Sequence, residues 1–248
     1  MIYDSPKNPD ETPSFPRELL LNFGKTGMGK SNYMKGFLET LPRTIILDPL
    51  GEYQAREFED VRGMIDFLES ENVKGDPEKP FRIKTCNLLD LEAVCEICAD
   101  GDKKNDPNAM RNVTLVIEEA QRCLPPSRIE IPDALQRIIF LGRHFGRSLA
   151  IAAQRPSIVH IAARSQWTRI VTFNLTETGD VGWLKSTSGY DIENENDIRK
   201  LPVGDYFEIT PGSFERKRAP LYVPKKTRKE EESSDGILAM LSAFNLQT

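Results

Sequence analysis

A chain of 248 residues, 39% hydrophobic and 29% charged, has the apolar material to bury a sizeable core, and its length suits one α/β domain with short appendages. Its formal net charge of −5 excludes a uniformly basic nucleic-acid binder, so any contact with DNA must be local. The first residues hold no apolar stretch of the secretory kind, and no apolar run approaches the roughly 18 residues that span a bilayer; the expectation is a cytoplasmic protein.

Residues 1–17 carry four prolines among polar groups and read as an extended arm. From residue 18 strands and helices alternate, which predicts a largely parallel sheet in a domain over residues 18–224. ELLLNF (18–23) reads as a short buried strand and SNYMKGFLETL (31–41) as a helix with apolar positions at helical spacing. Between them lies GKTGMGKSN. The spacing Gly24-x-x-x-x-Gly29-Lys30-Ser31 is that of a P-loop, whose backbone N–H groups wrap a polyphosphate at a helix N-terminus. Gly24, Lys25, Thr26, Gly27, Met28, Gly29, Lys30, Ser31 and Asn32 are therefore the candidate ATP-binding residues, with Lys30 on the phosphates and Ser31 on Mg²⁺.

RTIIL (43–47) is the second strand, and the stretch REFEDVRGMIDFLESE (56–71) reads as helical. FRIKTC (81–86) and VTLVIEE (113–119) are further strands, separated by a helix in LEAVCEICAD and by a loop carrying Lys103, Lys104 and Arg111. The four cysteines, Cys86, Cys95, Cys98 and Cys123, include one CxxC pair without a second, which favours reduced structural thiols over a zinc or redox site. His144 and His160, the two histidines, are assigned no metal.

A P-loop ATPase needs a carboxylate for the metal shell at the end of a buried strand, and a second to activate water. TLVIEEAQ supplies both: Glu118 for the Mg²⁺ side and Glu119 as base. Aspartate is the commoner first residue, so the longer Glu118 either contacts the metal through water or moves the two roles by one position. RCLPPSR adds Arg122 and Arg128 to the local basic candidates. IPDALQRIIFLGRHFG (131–146) reads as a helix feeding the strand SLAIAAQ, where Gln154 appears at the carboxyl end and is placed to sense the γ-phosphate or the attacking water. TRIVTF and GDYFEI are two later strands, and the sheet is expected to end in a C-terminal β extension. Residues 225–235 form a charged linker, and GILAMLSAFNL (236–246) is a short apolar helix that should dock on something other than the core.

The P-loop, DPLGEY, LVIEEAQ, GRHFGRSLAIAAQRP and LPVGDYFEI occur in the order seen in the HerA/FtsK superfamily of P-loop ATPases, and the chain resembles that superfamily over residues 18–210. The resemblance implies a RecA-like α/β fold, a hexameric ring with ATP sites between subunits, and movement of double-stranded DNA through the pore without sequence specificity. It implies that Lys30 and Ser31 are the phosphate and Mg²⁺ residues, Glu118 and Glu119 the acidic pair, Gln154 the sensor, and Arg143 the first candidate for an arginine finger. Arg147 and Arg155 rival Arg143, on the expectation that all three lie near one sheet edge. A core of this size looks most like the genome-packaging ATPases of membrane-containing icosahedral viruses. That implies a capsid-vertex or portal protein as partner, a viral membrane contact through residues 236–246, and a place in the host cytoplasm or the virion. A HerA-like plasmid or cellular translocase, and a nucleotide-dependent anchoring protein that moves nothing, are the competing readings.

Overall fold

The computed structural model describes residues 17–101, 106, 108–127, 130–189 and 195–223. Of the expected arm over residues 1–17, residues 1–16 lie outside them, as do the linker and apolar helix over residues 225–248. The elements are β1 (Leu19–Phe23), α1 (Lys30–Leu38), β2 (Arg43–Leu47), β3 (Arg56–Glu57), α2 (Val61–Ser70), β4 (Phe81–Thr85), α3 (Leu91–Cys98), β5 (Thr114–Ile117), α4 (Asp133–Leu141), β6 (Ser148–Ala153), β7 (Arg169–Thr172), α5 (Thr178–Ser188), α6 (Glu195–Arg199), β8 (Asp205–Thr210) and β9 (Ser213–Arg218).

One sheet takes all the strands in the order β3-β4-β2-β5-β6-β1-β7-β8-β9. Pairing is parallel from β3 to β7 and antiparallel for β8 and β9, which form the C-terminal β extension. The central strands are buried throughout because helices cover both faces, as parallel crossovers require. Along β1, Leu19, Leu21 and Phe23 enter a larger apolar cluster with α2, α3, α4 and α5, while Leu20 meets Met34 and Leu38 of α1 on the other face. This is the mostly parallel, RecA-like α/β architecture.

Two expected helices are shorter than their apolar patterns. Residues 56–57 form an edge strand on β4 instead of helix, and α2 begins only after Asp60, whose carboxylate accepts from the Gly63 amide at 2.8 Å. The helix expected over 131–146 stops at Leu141. There the chain tightens into a 3₁₀ turn, Gly142–His144, because the Gly142 carbonyl accepts the amides of Phe145 at 3.0 Å and Arg147 at 2.9 Å. A side chain at Gly142 would stand 2.6 Å from the Arg147 carbonyl oxygen, so the turn requires glycine. Cys95 and Cys98 point into the core from α3, and burial pushes the Cys98 thiol up to about 12.

Candidate nucleotide site

The loop between β1 and α1 is shaped by its neighbours. Gly24 has φ 148° and lies under Phe173, where an added Cβ would stand 2.5 Å from the Phe173 Cβ. The Lys25 amide donates to the Asn174 carbonyl at 3.0 Å, and the Met28 carbonyl accepts from the Gly204 amide at 3.0 Å, tying the loop to the chain around β7 and β8. Lys30 is buried at the start of α1, and its ammonium donates to the Lys25 carbonyl at 3.3 Å. Burial lowers its pKa, against the opposing pull of Glu118, Glu119 and Glu52.

Thr26, Gly27, Gly29, Lys30, Ser31 and Asn32 line a cavity of about 390 Å³, closed on the other side by Asp48, Glu52, Glu118 and Glu119. A second cavity of about 280 Å³ shares Asn32, Lys35 and Glu52 with it and is bounded by Tyr222. Together they are of the size that small-molecule ligands occupy. Of the expected P-loop residues, Gly24, Lys25 and Met28 shape the loop without lining the cavity. Asn32 departs from expectation further: its side-chain amide donates to the Pro220 carbonyl and accepts from the Tyr222 amide, both at 2.7 Å. That amide holds the chain after β9 across α1, and both of its ends are engaged there.

β5 ends at Ile117, two residues before the end of the expected strand over 113–119, and delivers the two acids to the cavity. The Glu118 amide is anchored on the Leu47 carbonyl at 3.0 Å, and its carboxyl is buried. Burial raises its pKa to about 7, while the Tyr53 hydroxyl bond and the Lys30 charge pull the other way. Glu119 sits in the left-handed region, φ 49° and ψ 43°. A non-glycine residue there is strained, and such strain gathers at functional positions. Its Oε2 accepts from the Gln121 side-chain amide and from Gln154 Nε2 at 3.5 Å. The glutamine expected to sense the reaction thus contacts the carboxylate expected to act as base.

Asp48, Glu52 and Tyr53 were not singled out from the sequence, although DPLGEY holds the signal: an acid and a glycine turn directly after a buried strand. Asp48 is fully buried and accepts from the Glu52 amide at 3.1 Å and the Tyr53 amide at 2.9 Å. Lys84 of β4 pairs with Asp48 at 3.3 Å and with Glu57 at 3.1 Å.

The arginines separate. Arg155 follows β6 and lies at the P-loop edge, where it pairs with the buried Asp180 at 2.6 Å. Arg143 and Arg147 precede β6, which runs parallel to β1, so they lie at the opposite edge, about 20 Å away along the six residues of the strand. The expectation of one shared edge is corrected accordingly. Arg147 is also wrong for a finger, because it is buried, with its guanidinium on the carbonyls of Met110 at 3.0 Å, Gly101 at 2.8 Å and Asp100. Arg143 is exposed and, among the described residues, makes no hydrogen bond or ion pair. Of the basic DNA candidates, Lys103, Lys104 and Arg128 lie outside the described residues; Arg111 donates to the Asp106 carbonyl at 3.3 Å, and Arg122 is exposed just beyond Glu119.

A parallel sheet with a glycine loop after β1 and an acidic pair after β5, both at the carboxyl edge, is the RecA-like architecture of P-loop NTPases. Residues 20–132 match the family described as the central domain of the HerA helicase. The fold is similar to that of the genome packaging NTPase B204 from Sulfolobus turreted icosahedral virus 2. The sulfate complex of B204 is 16% identical with a TM-score of 0.62, over 85% of this chain and 99% of that one. Its AMPPCP complex gives 15% and 0.61, over 83% and 98%. The pCW3 conjugation coupling protein TcpA with ATPγS is 14% identical with a TM-score of 0.53, over 86% of this chain and 62% of that one. No curated protein matches the sequence significantly. The resemblance to the HerA/FtsK superfamily of P-loop ATPases holds.

Proposed function

We propose that the protein hydrolyses ATP to move double-stranded DNA, as a head-to-tail ring that packages a viral genome. The observation that carries the ring is the position of Arg143: exposed and at the edge opposite its own P-loop, it can complete only the site of a neighbouring subunit. A heterologous contact of this kind closes into a ring when the rotation permits. The likeness to a packaging NTPase along nearly that whole chain supports the choice of cargo, as the likeness to a conjugation coupling protein supports DNA movement more generally.

Within the site, the P-loop amides and Lys30 hold the triphosphate. Glu119 takes the proton of the attacking water, and Gln154, touching Glu119, orients that water. The hydroxyl of Ser31 and the carboxylate of Glu118 fit Mg²⁺, a cation that takes oxygen donors and draws most of its shell from water and phosphate. Mg²⁺ supplies neutralisation of the phosphate charge. Arg143 of the next subunit stabilises the charge that builds on the transferred group, a contribution of about 10³ to 10⁵ in rate in GTPases. The ring is expected to be hexameric, with a capsid-vertex or portal protein as partner, in the host cytoplasm and then at the virion.

The test is ATP turnover with and without duplex DNA, for the wild type and for mixtures of Lys30→Ala with Arg143→Ala subunits. Stimulation by DNA of any sequence, weakening with salt, and partial recovery in the mixture are expected. Turnover indifferent to DNA supports the anchoring reading instead, and no recovery removes Arg143 from the site. A nuclease partner in place of a capsid partner marks a plasmid or cellular translocase.

A further inference from the structure

Tyr53 takes no part in the hydrolysis described above, yet it is built into the site from both ends. Its amide is bound by Asp48, which is itself neutralised by Lys84, so the backbone position is fixed from β4. Its ring is 3% exposed and joins the apolar cluster of Leu20, Met34, Ile46 and Val116 beneath the P-loop helix. A phenylalanine would pack there equally well. A buried hydroxyl, in contrast, needs a partner, and this one donates to Glu118 Oε1. Burial and the adjacent carboxylates raise the phenol pKa well above its ordinary value of 10.0, so the group remains a donor. The Glu119 backbone supplies Glu118 with a further hydrogen bond.

Resting on the reading of this cavity as an Mg²⁺–nucleotide site, we propose that Tyr53 is a positioning residue whose hydroxyl fixes the rotamer of Glu118, and thereby sets how strongly Mg²⁺ tightens nucleotide binding. The proposal accounts for a departure from pattern. Glu118 stands where an aspartate is usual in such sites and has one more rotatable bond. A carboxylate free to swing on that bond must be ordered each time the cation binds, which costs affinity. The hydroxyl removes that freedom beforehand, in the way that outer contacts orient metal ligands generally.

Tyr53→Phe keeps the ring and removes only the donor. The experiment measures the Kd of ATPγS by calorimetry on the full chain, once with Mg²⁺ and once with EDTA, beside a thermal melt. The expected result is a Kd within about two-fold of wild type in EDTA and about ten-fold weaker with Mg²⁺, the worth of a hydrogen bond to a charged group. In a Glu118→Gln background the same substitution should add nothing, since the carboxylate it serves is gone. A merely structural role for Tyr53 would weaken both conditions alike. That outcome, or an Mg²⁺ dependence equal in wild type and variant, overturns the proposal. Failure of the underlying site reading is distinguishable: the wild type itself would bind no ATPγS in either condition.

Discussion

The two edges of the sheet treat buried charge in opposite ways. At the amino edge, Arg43 and Arg147 are almost wholly buried, yet their guanidinium groups are met by backbone carbonyls. Arg43 donates to Arg111, Asp76, Lys79 and Val73 at 2.7 to 3.1 Å and lies over the Phe81 ring; Arg147 donates to Met110, Asp100 and Gly101 and lies over Phe145. At the carboxyl edge, Lys30 is held by one carbonyl at 3.3 Å, Glu118 is kept from ionising readily, and Glu119 stands in a strained conformation. One edge spends its polar groups on closing loops. The other ties Asp48 and Asp180 into structure as firmly, but keeps Lys30, Glu118 and Glu119 poised for something that arrives from outside, which is how a protein stabilised elsewhere carries a reactive site.

The largest effect should come from the carboxyl edge. Glu119→Gln keeps the size and the hydrogen bonds to Gln121 and Gln154 but removes the base, so turnover should fall by about 10² to 10⁴ while ATP still binds. Single-turnover kinetics beside an ATPγS titration separate the two. Turnover at the wild-type rate would show that Glu118 or another acid, and not Glu119, is the base.

Arg147→Met tests the amino edge. It strips donors from the buried Met110 carbonyl and the half-buried Asp100 and Gly101 carbonyls and should lower unfolding free energy by about 3 kcal/mol, each orphaned group costing about 1 to 3 when water does not reach it. Denaturant titration reads the loss. Below its melting temperature the variant should still turn over ATP, whereas loss of turnover in folded protein, recovered on mixing with Lys30→Ala, would return the finger role to Arg147.

A third prediction concerns pH in the absence of nucleotide and Mg²⁺. The Glu118 carboxyl has a folded pKa of about 7 against an ordinary 4.5, so between these values the folded state holds a proton that the unfolded state releases. Stability from this group is therefore full below 4.5 and lost as pH rises to 7, by at most about 3 kcal/mol. Glu118→Gln never ionises. It should melt above wild type at pH 8 and lose that advantage at pH 4; an advantage constant across the range would mean that the carboxyl is not desolvated as the fold implies.

The residues legible in the sequence were those whose partners lie close along the chain. Buried parallel strands announce themselves as apolar runs, and RTIIL coincides with β2; the P-loop spacing and the acids after β5 need only a strand and a turn to be understood. Contacts across strands left no such trace. Tyr53 meets Glu118 only because β2 and β5 are neighbours, and Lys84 meets Asp48 because β4 lies on the other side of β2. Arg143 and Arg147 were placed with Arg155 by proximity in sequence, although residues that precede a parallel strand stand a full strand length from those that follow it. The helix expected over 131–146 outruns α4 for a related reason: the apolar pattern continues past the point where Gly142 gives its carbonyl to Arg147.

The smallest predicted effect falls on Asn32, the one P-loop residue whose side chain behaves like those of the amino edge. Both ends of its amide are engaged, by the Pro220 carbonyl and the Tyr222 amide, and the chain it holds is otherwise tied by the Ala219 amide to the Gly204 carbonyl at 2.8 Å. Because Gly204 in turn donates to Met28 of the P-loop, this strap and the loop share a support. Asn32→Ala should cost about 1 kcal/mol of stability, the net worth of a partly exposed pair of hydrogen bonds, and should speed exchange of the Tyr222 amide by about ten-fold. Asn32→Asp, which keeps the acceptor for Tyr222 and loses the donor to Pro220, should fall between. ATPγS affinity should move by less than about three-fold in either variant, since the contribution of this side chain is to the strap. A ten-fold loss of affinity with Tyr222 exchange unchanged would place Asn32 on the nucleotide, and the carboxyl edge would then contain no side chain spent on structure at its P-loop.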